Sequence, residues 1–332
     1  MGRSVTLKTG AEGGSLGLLT PKVNFSTVDR SRKTEKSVSL SRLFFALNQV
    51  WRIQRLRAPL PPWPWRFRWS SPARSVIEGN DADVVTLALA IDITAVEDAG
   101  PIEKGWQAKP PNNGSPYAST IVFPVRKGNP KNILDWGDPA KEGIGVITPN
   151  PKTSGGAGWN YLAAWAWGDK GYNRDEAAIT AYIKKVFDNV LVPDSGARGS
   201  TNTFVQNGQG DVLLAWENEA YPSLAERPGE FEIVAPPTNI LAEPPVAAVD
   251  TYADKKNSRE LATEYLKYLY SDAGQRIAGE RRYRPNNPEI IKEFTKYFDL
   301  NLKLITIDDP LFGGWEVALK KHFGDGGVFD QI

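Results

Sequence analysis

From about Ser75 to the C-terminus, short apolar runs bounded by Gly and Pro alternate with amphipathic helical segments. This alternation restricts the chain to an α/β fold with mainly parallel sheets. "ADVVTLALAID" (82–92) is a near-continuous apolar run, the signature of a parallel strand buried on both faces. "STIVFPVRKGNP" (119–130) and "GIGVITPNP" (143–151) repeat that pattern, and Gly and Pro close each of them. Between the runs, "DEAAITAYIKKVFDNV" (175–190) places Ala178, Tyr182, Val186 and Val190 four residues apart, one buried helical stripe. The pattern also predicts a long amphipathic helix over 258–280, entered at Ser258, and a shorter one over 288–298.

Residues 1–74 follow another rule. They carry 14 Lys and Arg against 3 Asp and Glu, whereas the remainder carries 26 against 36, so a net charge of +1 conceals two opposed halves. The first forty residues are polar and aperiodic and read as loop or disordered chain, with "KVNFS" (22–26) the one strand-like stretch. "SRLFFALNQVWRIQRLR" (41–57) reads as a basic amphipathic helix, and "APLPPWPWRFRW" (58–69) interleaves Pro with Trp. A membrane-interacting role for 41–69 is one reading of that composition, and non-specific nucleic-acid binding is another. Neither is built into the later sequence, so no nucleic-acid partner is expected there.

Composition excludes much chemistry. With no cysteine, the chain has no disulfide, thiolate metal site or cysteine nucleophile, and its single histidine, His322, leaves no partner for a histidine-based zinc site or catalytic triad. His322 reads as an ordinary surface or capping residue. No phosphate loop or dinucleotide fingerprint occurs, and neither a metal nor a cofactor is called for. No stretch approaches the eighteen or so apolar residues of a membrane span. Arg3 and Lys8 precede "SLGLL" (15–19), an apolar piece too short for a signal peptide.

Three segments carry binding chemistry. In "VITPNPKTSGGAGWNYLAAWAWG" (146–168) a strand gives way to the turn Thr153, Ser154, Gly155, Gly156 and then to a helix. Glycines permit close approach of the backbone, and a helix's first turn offers unpaired N–H groups and the positive end of its dipole. Ser154 either caps that helix or lends its hydroxyl to a ligand. "DSGARGSTNTFVQNG" (194–208) is a second glycine-rich turn, with the Ala197 amide and Arg198 at its head; Arg198 either reaches an anion or satisfies turn carbonyls. "GDVLLAWENEAYPSL" (210–224) ends a strand at Trp216, whose indole N–H either points into a cleft or lies in the core. Glu217 and Glu219 invite a glycosidase reading, but two positions apart on a strand they do not converge across a substrate from separate elements.

At these residues the sequence resembles the periplasmic sulfate-binding proteins of ABC importers. "ADVVTLALA", "YASTIVFPVRKGNPKNILDW", "VITPNPKTSGGAGWNYLAAW", "DSGARGSTNTFV", "GDVLLAWENEA", "NILAEPPVAAVD", "YLKYLYS" and "FGGWEVALKKHFGDGGVFDQI" follow the family order over about 75–332. The resemblance implies a two-lobed type II clamp and no enzymatic activity. Lobe 1 would comprise 75–119 and 250–332, lobe 2 126–239, with crossover hinge strands at 120–125 and 240–249. It implies a sulfate held by the Ser154 hydroxyl, the backbone N–H groups of Gly155, Gly156 and Ala197, and the Trp216 indole, with Arg198 supporting the turn. Thiosulfate-binding relatives share these blocks. The implied setting is a periplasmic monomer that hands its anion to a membrane permease.

The resemblance stops at the N-terminal side, so lobe 1 is incomplete or atypical. The family carries a serine-glycine turn of the form H-G-G-S-G-K just before the helix that here begins "ARSVIEG" (73–79), but this chain has "WPWRFRWSSP" there. The family's S-Y-D-P-T-R segment survives as a faint echo in Asn24, Ser26, Asp29 and Arg32, and its tyrosine after "LALA" is Ile91. A shifted reading frame would account for the break: Trp65 to Pro72 can be written TGG CGG TTC CGG TGG TCC AGC CCG, and that choice of codons, read one base later, encodes Gly-Gly-Ser-Gly-Gly-Pro-Ala. On that alternative the chain is a frameshifted descendant with impaired or lost binding.

Overall fold

The structure, a computed structural model, describes residues 5–9, 23–27 and 71–332. The chain divides into two compact units, Met1–Pro62 and Trp63–Ile332. In the first, β1 (Val5–Thr9) and β2 (Val23–Thr27) form an antiparallel pair, with Val5 opposite Thr27 and Leu7 opposite Phe25. The strand-like character of "KVNFS" is thus realised, and the expectation of irregular chain elsewhere in the first forty residues is wrong for the five of β1. "VTLKT" alternates apolar with polar residues and is rich in β-branched ones, a pattern too short to stand out in a polar context. The helix expected over 41–57 and the Pro/Trp segment 58–69 lie outside the described residues.

The second unit opens with α1 (Ser71–Ile77), β3 (Val84–Thr86) and α2 (Ala90–Asp98). The single strand expected over 82–92 is therefore corrected: it ends at Thr86, Leu89 is extended at the N-cap of α2, and Asp92 lies in that helix's first turn. β3 pairs antiparallel with β12 (Val246–Ala248), and Val85, Leu87, Ile93, Val96, Trp106 and Val249 form a local core with Ala73 and Val76 of α1.

The main sheet runs in the order β10 (Phe231–Val234), β5 (Ile121–Arg126), β8 (Val212–Leu213), β6 (Val146–Pro149), β7 (Val190–Asp194). β9 (Ala215–Trp216) also pairs with β5. β6 is parallel to β7 and β8, whereas β5 is antiparallel to β8, β9 and β10. β11 (Thr238–Ile240) lies parallel to β14 (Lys303–Ile305), and β13 (Arg284–Pro285) antiparallel to β4 (Tyr117–Ala118). Parallel pairing is thus the minority, and the α/β sheet is mixed rather than mainly parallel.

α3 (Gly155–Gly171) is apolar on nearly every side and buries Trp159, Tyr161, Leu162 and Trp165, as a helix enclosed by neighbours must. α4 (Glu176–Asp188) is capped by Asp175, whose carboxylate accepts from the Ala177 and Ala178 amides at 3.0 and 3.1 Å. Its buried stripe is Ile179, Tyr182, Ile183 and Val186; Ala178 is only half-buried and Val190 belongs to β7. α5 (Ala197–Thr201), α6 (Glu217–Ala225) and α7 (Asp250–Lys255) are short.

Three further expectations are overturned. The helix over 258–280 is two helices, α8 (Arg259–Leu269) and α9 (Asp272–Glu280). Ser271 caps α9 by accepting from the Gly274 amide at 3.2 Å, and a Cβ on Gly274 would stand 2.2 Å from the Tyr268 carbonyl oxygen, so the chain folds back too tightly for a continuous helix. Over 288–298 only a 3-10 turn forms, Ile291–Phe294, because the Asn287 side chain accepts from the Glu289 and Ile290 amides and ties the segment down locally. His322, at the end of α10 (Trp315–His322), is fully buried rather than on the surface: Nδ1 lies 3.1 Å from the Tyr161 hydroxyl, and its ring packs on Trp165 and Phe323. Burial, with the nearby Lys321 charge, drops its pKa to about 3, so it is neutral. Among the described residues no helix is long and apolar enough to cross a membrane.

Candidate functional site

The carboxyl ends of β6, β7 and β9 lie together, and each feeds one of the three segments singled out in the sequence. In open α/β sheets that end is where ligands bind. After β6, Asn150 organises the turn. Its amide donates to the Asp194 carbonyl at 2.8 Å, its side-chain oxygen accepts from the Lys152 amide at 2.8 Å, and its carbonyl accepts from the Thr153 and Ser154 amides at 3.0 Å each. The Thr153 hydroxyl then donates to the Ser195 carbonyl at 3.1 Å, which binds the first turn to the second. Sequence reading placed Thr153 in this turn but missed Asn150, although an asparagine directly after a strand is a recognisable turn former.

Ser154 is the N-cap of α3, extended at φ −124° and ψ 117°, but its side chain makes no capping bond. The amides of Ala157 and Gly158 close instead on the Ser154 carbonyl, at 3.1 and 3.3 Å. The hydroxyl is therefore uncommitted to the helix, and the Gly155 and Gly156 amides have no partner among the described residues. A Cβ built on Gly156 would sit 3.7 Å from Trp216 Nε1 and 3.8 Å from Ser154 Oγ, so Gly156, the hydroxyl and the indole share one small space. A Cβ on Gly155 would meet Ala88 Cβ and Leu89 Cγ at 3.0 Å, so a side chain there would have to push those neighbours back by a few tenths of an ångström. Trp159 anchors the same approach, its Nε1 donating to the Ala88 carbonyl at 2.9 Å.

Trp216 is buried at the junction of β9 and α6, and its Nε1 donates to the Gly156 carbonyl at 3.2 Å. The junction is held from behind. Glu217 donates its amide to the Thr120 carbonyl at 3.0 Å, and both its carboxylate oxygens accept from Arg284, at 2.7 and 2.8 Å, with both side chains nearly inaccessible. Burial lifts the Glu217 carboxyl above the usual range, and the hydrogen bonds and charge of Arg284 pull it back. Glu217 and Glu219 lie in the first turn of α6 and not on a strand, roughly 200° apart around the axis at 100° per residue. With Glu217 consumed by Arg284, they form no acid–nucleophile pair.

The second turn presents Ala197 at the start of α5, half-buried, with its amide unpartnered among the described residues. Gly199 and Ser200 close on the Gly196 carbonyl, at 3.0 and 3.3 Å. Arg198 is exposed, and its guanidinium makes no hydrogen bond to the turn carbonyls among the described residues. It acts instead on Glu219, whose enclosed carboxyl is pushed up to about 7 by burial, with the Arg198 charge opposing. The arrangement offers polar hydrogens without a direct cation, a cradle for a small anion. Among the described residues no group of three His, Asp or Glu side chains is placed to hold a metal ion.

Comparison with known proteins gives this arrangement a family. Residues 71–283 match the family described as bacterial extracellular solute-binding protein. The chain belongs to that family. This solute-binding protein is 55% identical over 261 residues to the sulfate-binding protein of Escherichia coli K12, covering 78% of this chain and 79% of the relative. It is 47% identical over 265 residues to the thiosulfate-binding protein of Pseudomonas aeruginosa, covering 79% of each. Among solved structures, the sulfate-binding protein SubI from Mycobacterium tuberculosis H37Rv superposes with a TM-score of 0.67 at 34% identity, covering 78% of this chain and 84% of that one. The fold of this solute-binding protein is accordingly the two-lobed α/β clamp.

Proposed function

We propose that this solute-binding protein captures sulfate between its two lobes and delivers it, in the periplasm, to the membrane permease of an ABC importer. The ligand donors are Ser154 Oγ, the amides of Gly155, Gly156 and Ala197, and Trp216 Nε1, with Arg198 beside them. Lobe 2 is 126–239, lobe 1 is 75–119 with 250 to about 302, and 120–125 with 240–249 are the hinges; the C-terminal stretch from Trp315, expected in lobe 1, goes with lobe 2 because Trp315, Phe323 and Phe329 pack on Trp159, Tyr161 and Phe187. The carrying observation is the Ser154 hydroxyl, free of any capping bond, sharing a space with the Trp216 indole at the head of α3. In this arrangement a ligand oxygen takes over the indole N–H that now rests on the Gly156 carbonyl.

A fixed array of neutral donors suits this task. It replaces a dianion's water with several charge-assisted bonds, aided by the helix N-terminus, and leaves no unpaired charge when the cleft opens. It also discriminates, because phosphate at neutral pH retains a proton that needs an acceptor, and an all-donor cradle leaves that proton unpaired. Thiosulfate, equally aprotic, is the alternative ligand. Lobe closure presents the permease with a surface that depends on occupancy, and the protein works as a monomer. Titration of the full chain with sulfate, followed by tryptophan fluorescence, tests the reading: a saturable change that phosphate does not reproduce is expected, and an unresponsive Trp216 overturns it.

A further inference from the structure

Lys152 stands two residues before Ser154, and its ammonium pairs with the Asp330 carboxylate. Asp330 comes from the other end of the chain, in the 3-10 turn Val328–Gln331, and its second oxygen accepts from the Gly326 amide at 2.9 Å. That turn is seated firmly. Phe329 packs on Phe187 and Tyr161 at centroid distances of 5.0 and 5.8 Å, and Lys184 Nζ donates to the Ile332 carbonyl at 3.1 Å. The pair is partly open to solvent, each side chain 34% exposed, and Lys152 with the Gly326 amide holds Asp330 below the ordinary carboxylate range.

We propose that Asp330 is a specificity-determining residue of the anion site: it neutralises Lys152, so that the cradle selects its guest by donor geometry and not by net charge. The inference rests on the anion-binding reading above and names a residue that touches no ligand. An unmasked ammonium beside the Ser154 turn attracts every anion, phosphate included, through a field that reaches about a Debye length. With Asp330 in place that field is largely cancelled, and what remains is the array of neutral hydrogens, which rejects a guest that carries a proton.

The test uses the full chain and four forms: wild type, Asp330→Asn, Asp330→Glu, and the double variant Lys152→Gln with Asp330→Asn. Sulfate and inorganic phosphate binding are measured by calorimetry from about 0.01 to about 0.15 M ionic strength, over which the Debye length shrinks from ~30 to ~8 Å. Asp330→Asn should bind sulfate roughly two- to fivefold tighter than wild type at low ionic strength, the range of an exposed ion pair, and lose that advantage as salt rises. Its discrimination against phosphate should fall. Asp330→Glu and the double variant should both return the wild-type salt dependence. A salt dependence identical to wild type in Asp330→Asn overturns the proposal. So does uniformly weaker binding that Lys152→Gln does not restore, since that outcome marks a purely structural latch. Wild type failing to bind sulfate at any ionic strength overturns the anion-binding reading and this inference with it, a result distinct from the other two.

Discussion

Arg284 grips both carboxylate oxygens of Glu217, at 2.7 and 2.8 Å, one residue from the Trp216 indole. Arg284 also donates to the Asp299 carbonyl at 3.1 Å, so it joins α6 to the segment before β14. Removing one member of a buried pair leaves the other charged and unsolvated, at a cost of about 3–5 kcal/mol. Glu217→Ala and Arg284→Ala should each lose that much in urea unfolding, and Glu217→Ala should also alter Trp216 emission. A loss below about 1 kcal/mol in both variants, the scale of an exposed pair, contradicts the described burial.

Gly155 and Gly156 are neighbours with opposite expected behaviour. Gly155→Ala forces its new methyl against Ala88 and Leu89, overpacking of a kind that costs about 1–3 kcal/mol. Gly156→Ala meets only ordinary contacts, at 3.7 to 3.9 Å, so the protein should keep its stability while the methyl occupies the space shared by Ser154 Oγ and Trp216 Nε1. Thermal unfolding together with a sulfate titration of both variants separates the two roles. Gly156→Ala binding as wild type does would remove the shared space from the account.

Glu219 sets a pH dependence of stability. Its folded carboxyl holds a proton up to about 7, whereas an unperturbed glutamate ionises near 4.5. Between those values the folded state binds more protons than the unfolded one, so this group's contribution to stability is lost as pH rises through that window. Urea unfolding at about pH 5 and about pH 8 should show a smaller fall for Glu219→Gln than for wild type. Equal falls would mean that the carboxyl is not enclosed.

The altered N-terminal region has its own test. If the two donors of the family's lobe 1 turn are missing from this chain, affinity should fall by about 3–6 kcal/mol, at about 1.5–3 kcal/mol for each charge-assisted bond, or about two to four decades. Replacing Trp65 to Pro72 by the shifted-frame Gly-Gly-Ser-Gly-Gly-Pro-Ala should recover much of that loss in a sulfate titration. Sequencing of the source gene across codons 38 to 75 tests the frame itself, and a repeatedly confirmed uninterrupted frame ends that alternative.

What could be read from the sequence was what local chemistry determines. The β6 turn and the head of α3 follow from a strand, two prolines and S-G-G, and α4 follows from the periodic run after Asp175. Distant relationships were not legible. Nothing local announces that β3 pairs antiparallel with β12, that Gly274 must fold under Tyr268, or that His322 is drawn inside against Tyr161. Lys152 and Asp330 are 178 residues apart, and only the folded chain shows that the cation beside the Ser154 turn is masked. The donor set itself came from the family resemblance, and the structure adds the geometry that distinguishes a capping serine from a free one.

Calorimetric titration of sulfate into wild type and Ser154→Ala at neutral pH is the most direct test of the central claim, that uncharged donors at the head of α3 hold the anion. The account predicts one site per chain in wild type and a loss of about 1.5–3 kcal/mol in Ser154→Ala, roughly ten- to a hundredfold in affinity, with unchanged unfolding. Equal affinity in the two proteins would contradict it.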